Sequence, residues 1–379
     1  MEIYLDSNAT TRPLPAAMEA IANAMADGYG NPSSPHSRGA AARSALARSR
    51  EAIAAFAGGA PEELVLTSGG TESNNLVFSS LAKRIGRPRV AVSAAEHPSV
   101  MMPAEAVAMG RLTILPLRGD GTLDLEALSA ELDEGLDLVS VQWASGETGV
   151  VQPIVEVARL CRAKGVPLHS DAAQAFGRVP LRLNESGVNL ATLSAHKMHG
   201  PVGVGALWAR GKGLLTAAMF GGGQQGGMRS GTENVPGAAG FAAACSARAQ
   251  RFDDDVKGMA ELRNSFERAV LGRTPDAVVN GVVAERLCNT SSIRFEGVDG
   301  QALVAQLDRA GIMCSQTSAC SSGRPEPSAT LLAMGLSEAE AWSTVRFSFS
   351  VENTASEAAE AAREVAEAVT RLRRFVVLR

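Results

Sequence analysis

The length, composition and charge of the chain limit what it can be. It has 379 residues, of which 45% are hydrophobic, enough for one large core and a smaller one, so we expect two domains. The net charge of −4 and the scattered basic residues argue against nucleic-acid and membrane-surface partners. No apolar run reaches the roughly 20 residues of a transmembrane span, and the N-terminus has no signal-peptide pattern. We therefore expect a cytoplasmic protein.

The predicted elements alternate between strands and helices through the first half of the chain. Short apolar runs predict buried strands at 63–67, 89–93, 136–142 and 166–170. Helical stretches lie between them, at 72–85, 98–109 and 153–164. This alternation predicts a mostly parallel α/β sheet with helices on both faces. It fades after the glycine-rich segment 221–234, where an Ala-rich helix and then a smaller α+β region are predicted.

Polar residues collect in the loops that follow the predicted strands, where open α/β sheets bind ligands. In TSGGTESNN, two glycines precede a helix that starts at Thr71 or Glu72, which is an anion site fit for one phosphate. An ordinary glycine turn with a threonine cap is the alternative. In AEHPSV, His97 ends a strand. This histidine is either functional or structural.

Two later loops add an acid and a lysine. In HSDAAQAFG, Asp171 and Gln174 follow an apolar strand, and a buried carboxylate needs a partner such as a protonated ring nitrogen. In LSAHKMHGPVGVG, Lys197 lies between an apolar segment and a Gly-Pro turn, where burial would make its amine available for a Schiff base. A surface lysine is the alternative. Together the four loops match pyridoxal 5′-phosphate.

The ordered motifs resemble the NifS/IscS-like cysteine desulfurases of the class V aminotransferase family over nearly the whole chain. The matching stretches are YLDSNATT, GNPSSPH, TSGGTESNN, EHP, ETGVVQP, HSDAAQ, SAHKMHGP, GGGQQGGMRSGTEN, SACSSGRPEPS and VRFSFS. The resemblance implies the pyridoxal-phosphate-dependent transferase fold type I. Its large domain would span residues 14–255, and residues 1–13 and 256–379 would form a smaller α+β domain with a mobile cysteine loop at about 315–328.

The resemblance also implies a role for each matching residue. Lys197 would form the Schiff base and move a proton at the substrate Cα, and His97 would stack on the cofactor ring. Asp171 would pair with the ring nitrogen, and Gln174 would donate to the ring hydroxyl. The residues implied to hold the phosphate are Gly70, Thr71, Ser194 and His196, with Thr232 reaching the phosphate of the neighbouring subunit in an obligatory homodimer. The residues implied to bind substrate are Arg346, Asn8 and Asn31.

Cys320 is the candidate nucleophile among five cysteines. These cysteines are odd in number, widely spaced and without a CxxC pair, so neither a disulfide framework nor a metal site is expected. By resemblance, Cys320 attacks the sulfur of a bound L-cysteine, leaving alanine and a protein persulfide; a buried small hydrophobe is the alternative. The other four, of which Cys314 lies nearest the loop, are expected to be structural. His97 is expected to help activate Cys320.

Some positions depart from the family pattern near the expected cofactor and nucleophile. Ser145 and Gly146 stand where a pair of asparagines is usual, so Gln174 would hold the ring hydroxyl alone. Gln316 and Thr317 replace a Ser-Gly hinge, and Ser7 replaces an asparagine.

Three functions are therefore weighed for this chain. The first is an L-cysteine desulfurase that supplies an acceptor or scaffold protein with sulfur for iron–sulfur clusters or another thio-cofactor. The second is a selenocysteine lyase or another class V pyridoxal enzyme, whose turnover would survive Cys320→Ala. The third is a weakly active assembly partner, against which the retained Lys197, Asp171, His97 and Arg346 argue.

Overall fold

The structure, a computed structural model, describes residues 2–211, 213–316 and 326–376. In chain order the strands are β1 (Ile3–Tyr4), β2 (Leu64–Thr67), β3 (Val90–Ser93), β4 (Leu112–Leu115), β5 (Leu138–Ser140), β6 (Leu168–Asp171), β7 (Leu190–Ser194), β8 (Gly205–Ala209), β9 (Ala277–Val279), β10 (Thr290–Phe295), β11 (Ile312–Met313), β12 (Ser315–Gln316) and β13 (Thr344–Ser348). The α-helices are α1 (Pro15–Ala26), α2 (Ser37–Ala57), α3 (Gly70–Ile85), α4 (Pro98–Ala108), α5 (Leu125–Asp133), α6 (Ile154–Ala163), α7 (Leu183–Ser186), α8 (Val235–Ala249), α9 (Phe252–Arg273), α10 (Gly300–Arg309), α11 (Ala329–Ala333), α12 (Glu338–Trp342) and α13 (Ala355–Val376).

A seven-stranded sheet forms the larger part of the structure. Its strand order is β2-β8-β7-β6-β5-β3-β4. Strand β8 runs antiparallel to both β2 and β7, and the other pairs are parallel. The predicted mostly parallel α/β sheet is confirmed. Strands β2, β3, β5 and β6 coincide with the four apolar runs to within two residues at each end, and helix α3 begins two residues before the predicted start.

Both faces of this sheet are buried except at the edge strand β4, where Ile114 is 45% exposed, and this burial fits its nearly continuous apolar strands. Along β2, Leu64 and Leu66 belong to a core that includes residues of α2, α6 and α8, while Val65 faces the opposite side. That second side is covered by α3 and α4, through residues such as Phe78 and Val100. Alternate side chains therefore enter two cores, as expected for a sheet between helical layers.

A second, antiparallel sheet has the strand order β12-β13-β10-β9. Its core contains Phe266 of α9 and Phe347 of β13, whose ring centroids are 4.9 Å apart, together with residues of α10 and α13. The N-terminal residues Ile3 and Leu5 also lie in this core, because β1 pairs in parallel with β11. The domain limits at residues 14 and 255 stay a prediction, and residue 255 lies in the first turn of α9.

Within the described ranges, no helix is both long and apolar enough to cross a membrane.

Candidate active site

The predicted site residues meet at one edge of the large sheet. Strands β3, β5, β6 and β7 are parallel neighbours, so the residues at and after their carboxyl ends lie side by side. This edge receives His97 after β3, Asp171 at the end of β6, and Ser194 at the end of β7. Strand β2 runs in the same direction, because β8 is antiparallel to both β2 and β7. The helix that follows β2 therefore starts at this edge too.

The start of α3 and the end of β7 form a small polar cradle. Gly69 has a φ of 153° and offers α3 no side-chain cap. A Cβ built on Gly70 would lie 4.0 Å from the Cβ of Ser194, so the first turn of α3 sits directly over Ser194. Ser194 is 2% exposed, and its Oγ has no hydrogen-bond partner among the described residues. Uncapped helix N–H groups beside an unpaired hydroxyl fit a phosphate group.

A chain of hydrogen bonds connects Asp171 to His97. One carboxylate oxygen of Asp171 accepts from the backbone N–H of Ala173 at 2.9 Å, and the other accepts from the amide Nδ2 of Asn74 at 2.8 Å. The same Nδ2 lies 2.9 Å from Ser99 Oγ, which in turn lies 2.7 Å from Nδ1 of His97. Sequence reasoning assigned no role to Asn74 or Ser99, although Asn74 belongs to the TSGGTESNN motif.

His97 caps α4 with its imidazole ring. Its Nδ1 accepts a hydrogen bond from the backbone N–H of Ser99 at 3.1 Å. Partial desolvation lowers the pKa of His97, with the charge of Asp171 opposing this shift and that of Lys197 adding to it. His97 is therefore neutral at physiological pH, as a group that stacks on a ring would be.

Lys197 lies at the end of the short 3₁₀-helix Ala195–Lys197 and is half-buried. Behind it, the buried guanidinium of Arg178 donates to the backbone oxygen of Lys197 at 3.1 Å and to Oε1 of Gln174 at 2.6 Å. The other end of the Gln174 amide donates to the backbone oxygen of Asn8 at 3.0 Å. Sequence reasoning missed Arg178. The signal that could have found it is its position four residues after the candidate residue Gln174.

His196 lies beside Lys197, with its Nδ1 3.1 Å from Thr10 Oγ1. Desolvation lowers the pKa of His196 to about 4, with further lowering by the charges of Lys197 and Arg178. A phosphate at this edge would therefore meet a neutral imidazole.

Arg346 lies on β13, at the border between the two sheets. Its guanidinium forms an ion pair with Asp6 at 2.7 Å and donates to the backbone oxygen of Gly146 at 3.1 Å, while its buried Nε has no partner in the described ranges. Asn8 is buried, and its amide donates to the same Gly146 oxygen and to Thr290 Oγ1, each at 2.9 Å. The substrate role of Asn8 stays a prediction.

The residues that replace the usual asparagine pair have structural explanations. Ser145 is buried, and its Oγ accepts from the backbone N–H groups of Glu147 and Thr148, each at 3.2 Å. A Cβ on Gly146 would lie 2.7 Å from Nε2 of Gln174, so no side chain fits at 146 while Gln174 keeps this position. The side chain of Gln174 and the residue at 146 thus depend on each other.

Two predicted residues are not brought into this cluster. Asn31 is exposed, and its Oδ1 accepts from the backbone N–H of Ser33 at 2.9 Å. Thr232 is exposed on segment 221–234. Their roles stay predictions. Cys320 lies outside the described residues.

The four described cysteines, Cys161, Cys245, Cys288 and Cys314, are all buried. Burial raises the pKa of Cys161 to about 12 and that of Cys314 well above its usual range. Neither thiol is suited to form a thiolate near neutral pH.

Comparison with known proteins agrees with the fold and with the motifs. Residues 3–360 match the family described as aminotransferase class-V. A cysteine desulfurase of Cereibacter sphaeroides is 41% identical over 364 residues, covering 94% of this chain and 92% of the relative. Another cysteine desulfurase, of Trichormus azollae, is 37% identical and covers 98% of this chain and 94% of its own. A solved structure described as a NifS-like protein has 32% identity and a TM-score of 0.91, covering 98% of this chain and all of its own. This chain belongs to the class V aminotransferase family.

Proposed function

We propose that the chain is a pyridoxal-phosphate-dependent cysteine desulfurase, which converts L-cysteine to L-alanine and passes the sulfur to Cys320. The observation that carries the proposal is the convergence of the uncapped start of α3, the unpaired Ser194 hydroxyl, Asp171, His97 and Lys197 at one edge of the sheet. Relatives named cysteine desulfurase match this chain over almost its full length, and their name indicates which class V reaction to test first.

The residues present fit the cofactor. The polar cradle over Ser194 matches a single phosphate, and Asp171 already accepts two hydrogen bonds, which keeps its carboxylate in one orientation. The residues that would hold the phosphate are Gly70, Thr71, Ser194 and His196, joined by Thr232 of a second subunit. When bound, the cofactor supplies an electron-withdrawing ring that stabilises negative charge at the substrate Cα.

Residues of this chain would divide the remaining work. Asp171 would keep the ring nitrogen protonated by charge pairing, and Lys197 would carry the proton to and from the substrate Cα. Arg346 would bind the substrate carboxylate, for which a planar guanidinium is the best partner. His97 would lie against the cofactor ring.

The sulfur step balances without an added oxidant or reductant. The Cys320 thiolate forms an S–S bond to the substrate sulfur while the substrate C–S bond breaks, and the electron pair of that bond stays on the substrate β-carbon. Protonation of this carbon completes the methyl group of alanine, and Cys320 keeps the sulfur as a persulfide. An acceptor protein would then take this sulfur for iron–sulfur cluster or thio-cofactor assembly.

The test is release of alanine and sulfide from L-cysteine, under reductant, by the wild-type protein and by Cys320→Ala. We expect turnover by the wild type and none by the variant, with the yellow cofactor band retained in both. Cys314→Ala is the matched control, because it removes a buried thiol near the loop and should keep turnover.

The proposal fails if both wild type and Cys320→Ala are inactive or equally active on cysteine. Equal activity would instead favour a class V enzyme that uses no protein thiol. Loss of turnover in Cys314→Ala alone would move the nucleophile to Cys314.

A further inference from the structure

The amide of Asn74 uses both of its N–H groups inside the candidate site. Asn74 is fully buried on α3, and its Nδ2 lies 2.8 Å from Asp171 Oδ2 and 2.9 Å from Ser99 Oγ. A primary amide has two hydrogens on nitrogen, so each contact takes one of them. Because Nδ2 donates to Ser99, the Ser99 oxygen is an acceptor in that contact, and its own proton is left for another partner.

That partner is Nδ1 of His97, 2.7 Å from Ser99 Oγ. The backbone N–H of Ser99 also points at Nδ1, at 3.1 Å, and a backbone N–H can only donate. Both contacts therefore require an unprotonated Nδ1. A neutral imidazole carries one proton, so this proton is on Nε2.

The position of Asn74 on α3 links these contacts to the phosphate cradle. Gly70 and Asn74 are four residues apart and thus on the same face of the helix. The first turn of α3 places Gly70 over Ser194, and the next turn places the Asn74 amide against Asp171. One helix thus positions the anion site and the carboxylate together.

We propose that Asn74 is a positioning residue that holds the Asp171 carboxylate and, through Ser99, fixes His97 in its Nε2–H tautomer, so that His97 faces the reacting atoms as a hydrogen-bond donor. This inference rests on the proposed function, which identifies the reacting atoms as those of pyridoxal phosphate and L-cysteine. It revises the expectation that His97 activates Cys320, because a nitrogen that already carries a proton cannot accept one from a thiol. The charged groups that face His97 are Asp171 and Lys197, and the buried Glu96 faces Asp171.

The tautomer can be measured by NMR on the full-length, cofactor-free protein labelled with ¹⁵N-histidine. Two-bond proton–nitrogen correlations distinguish the two tautomers, and the chain provides a reference for each. Nδ1 of His36 accepts from the backbone N–H of Gly39 at 3.2 Å, which requires Nε2–H. Nδ1 of His199 lies 2.8 Å from the backbone oxygen of Arg12 and must carry a proton to bond with it. We expect the His97 signal, assigned with His97→Gln, to match the His36 pattern.

Two variants separate the two parts of the proposal, which are the contact of Asn74 with Asp171 and its connection through Ser99 to His97. Asn74→Ala removes both contacts, so we expect a mixture of His97 tautomers and about tenfold weaker binding of pyridoxal phosphate, as for loss of a hydrogen bond to a charged group. Ser99→Ala removes the hydroxyl contact to His97 Nδ1 and keeps only the longer backbone N–H contact at 3.1 Å, so a mixture of tautomers should appear while cofactor affinity stays near that of the wild type. Asn75→Ala is the matched control, because the side chain of the exposed Asn75 hydrogen-bonds, among the described residues, only to the backbone of its own helix.

An Nδ1–H tautomer or an imidazolium at pH 7 in the wild type would overturn the proposal. Unchanged tautomer and affinity in Asn74→Ala would overturn it as well. If Asn74→Ala does not fold, Asn74→Ser replaces it; its hydroxyl has one hydrogen to donate and can serve only one of the two contacts, so the His97 tautomer or the cofactor affinity should still change. Because these readouts need no turnover, failure of the desulfurase assay would leave them unaffected.

Discussion

At the scale of single residues, the proposed role of Arg346 in binding the substrate carboxylate depends on the partners that its guanidinium already has. It bonds to Asp6 and to the backbone oxygen of Gly146, while the buried Nε–H has no partner among the described atoms. An unpaired buried donor is costly. A substrate carboxylate would satisfy it, which gives a physical reason for placing substrate here.

Arg346→Lys should therefore weaken substrate binding more than it slows the chemical step. A lysine keeps the charge but loses the planar fork, so we expect KM for L-cysteine to rise about tenfold or more, with a smaller change in kcat. Steady-state kinetics measure both values. Arg294→Lys is the control, because Arg294 lies in the same sheet and pairs with Glu340. An unchanged KM in Arg346→Lys would place the carboxylate elsewhere.

The residues that sequence reasoning missed owe their roles to contacts that the pattern of one sequence does not reveal. Asn74, Ser99 and Arg178 gain their roles from partners distant in sequence: Asp171 is 97 positions from Asn74, and Ser7 is 171 positions from Arg178. Gly146 likewise reflects the side chain of Gln174. These distant contacts depend on which strands become neighbours, and neither spacing nor composition contains that information.

At the scale of elements, Glu147 fastens the short helix α11 to the turn after β5. The carboxylate accepts hydrogen bonds from Ser328 and, at 3.2 Å, from Thr330. Burial raises the pKa of Glu147, and the hydrogen bond from Ser328 and the charge of Arg346 oppose that shift. A five-residue helix has little stability of its own, so α11 depends on such tertiary contacts.

Glu147→Gln should loosen α11 without disturbing the large sheet. Glutamine has one acceptor oxygen and no charge, so the hydroxyl that faces Nε2 must accept instead of donate, and a charge-assisted hydrogen bond is replaced by a neutral one at a cost of about 1 kcal/mol. We expect faster amide hydrogen exchange across Ala329–Ala333 and unchanged exchange in β7, measured by mass spectrometry. Glu156→Gln, at an exposed position of α6, should leave both regions unchanged. Equal protection of α11 in all three proteins would contradict this anchoring role.

Elements were more predictable from the sequence than their arrangement. Strands such as β2 and β3 are buried on both faces, so their apolar runs are visible in one dimension. The position of β8 between β2 and β7, with reversed direction, is set by pairing partners and has no local signal. The loops of the site were found because they follow apolar strands, whatever the strand order.

At the scale of the whole molecule, buried neutral histidines make stability depend on pH. Burial lowers the pKa of His169 to about 4, with the charge of Asp171 opposing the shift. Below the ordinary histidine pKa of about 6.5, the unfolded chain binds a proton here that the folded chain does not. Unfolding therefore becomes easier as the pH falls from 6.5 towards 4, by up to about 1.4 kcal/mol per pH unit for this residue.

His169→Gln should reduce this pH dependence by about one proton. Urea unfolding at pH 7 and pH 5 gives the change in the free energy of unfolding for each protein. Phe78→Leu is the control, because the Phe78 ring packs edge-on against His169 and its truncation weakens the same core without removing a titrating group. If His169→Gln keeps the wild-type difference between the two pH values, His169 is not a source of it.

The predicted sharing of sites between two subunits can be tested with two inactive variants. Segment 221–234 carries the exposed Thr232 and is held to the start of α3 by the Arg229–Glu72 ion pair, with Phe220 just before it 80% exposed. A mixed dimer has one Lys197→Ala subunit and one Thr232→Ala subunit. If Thr232 reaches the site of its partner, both substitutions lie in one site and the other site keeps both native residues. Unfolding and refolding the two variants together should restore about a quarter of wild-type activity, by random pairing in a two-fold dimer. Each variant refolded alone is the control, and no recovery on mixing would show that each site is built from one chain.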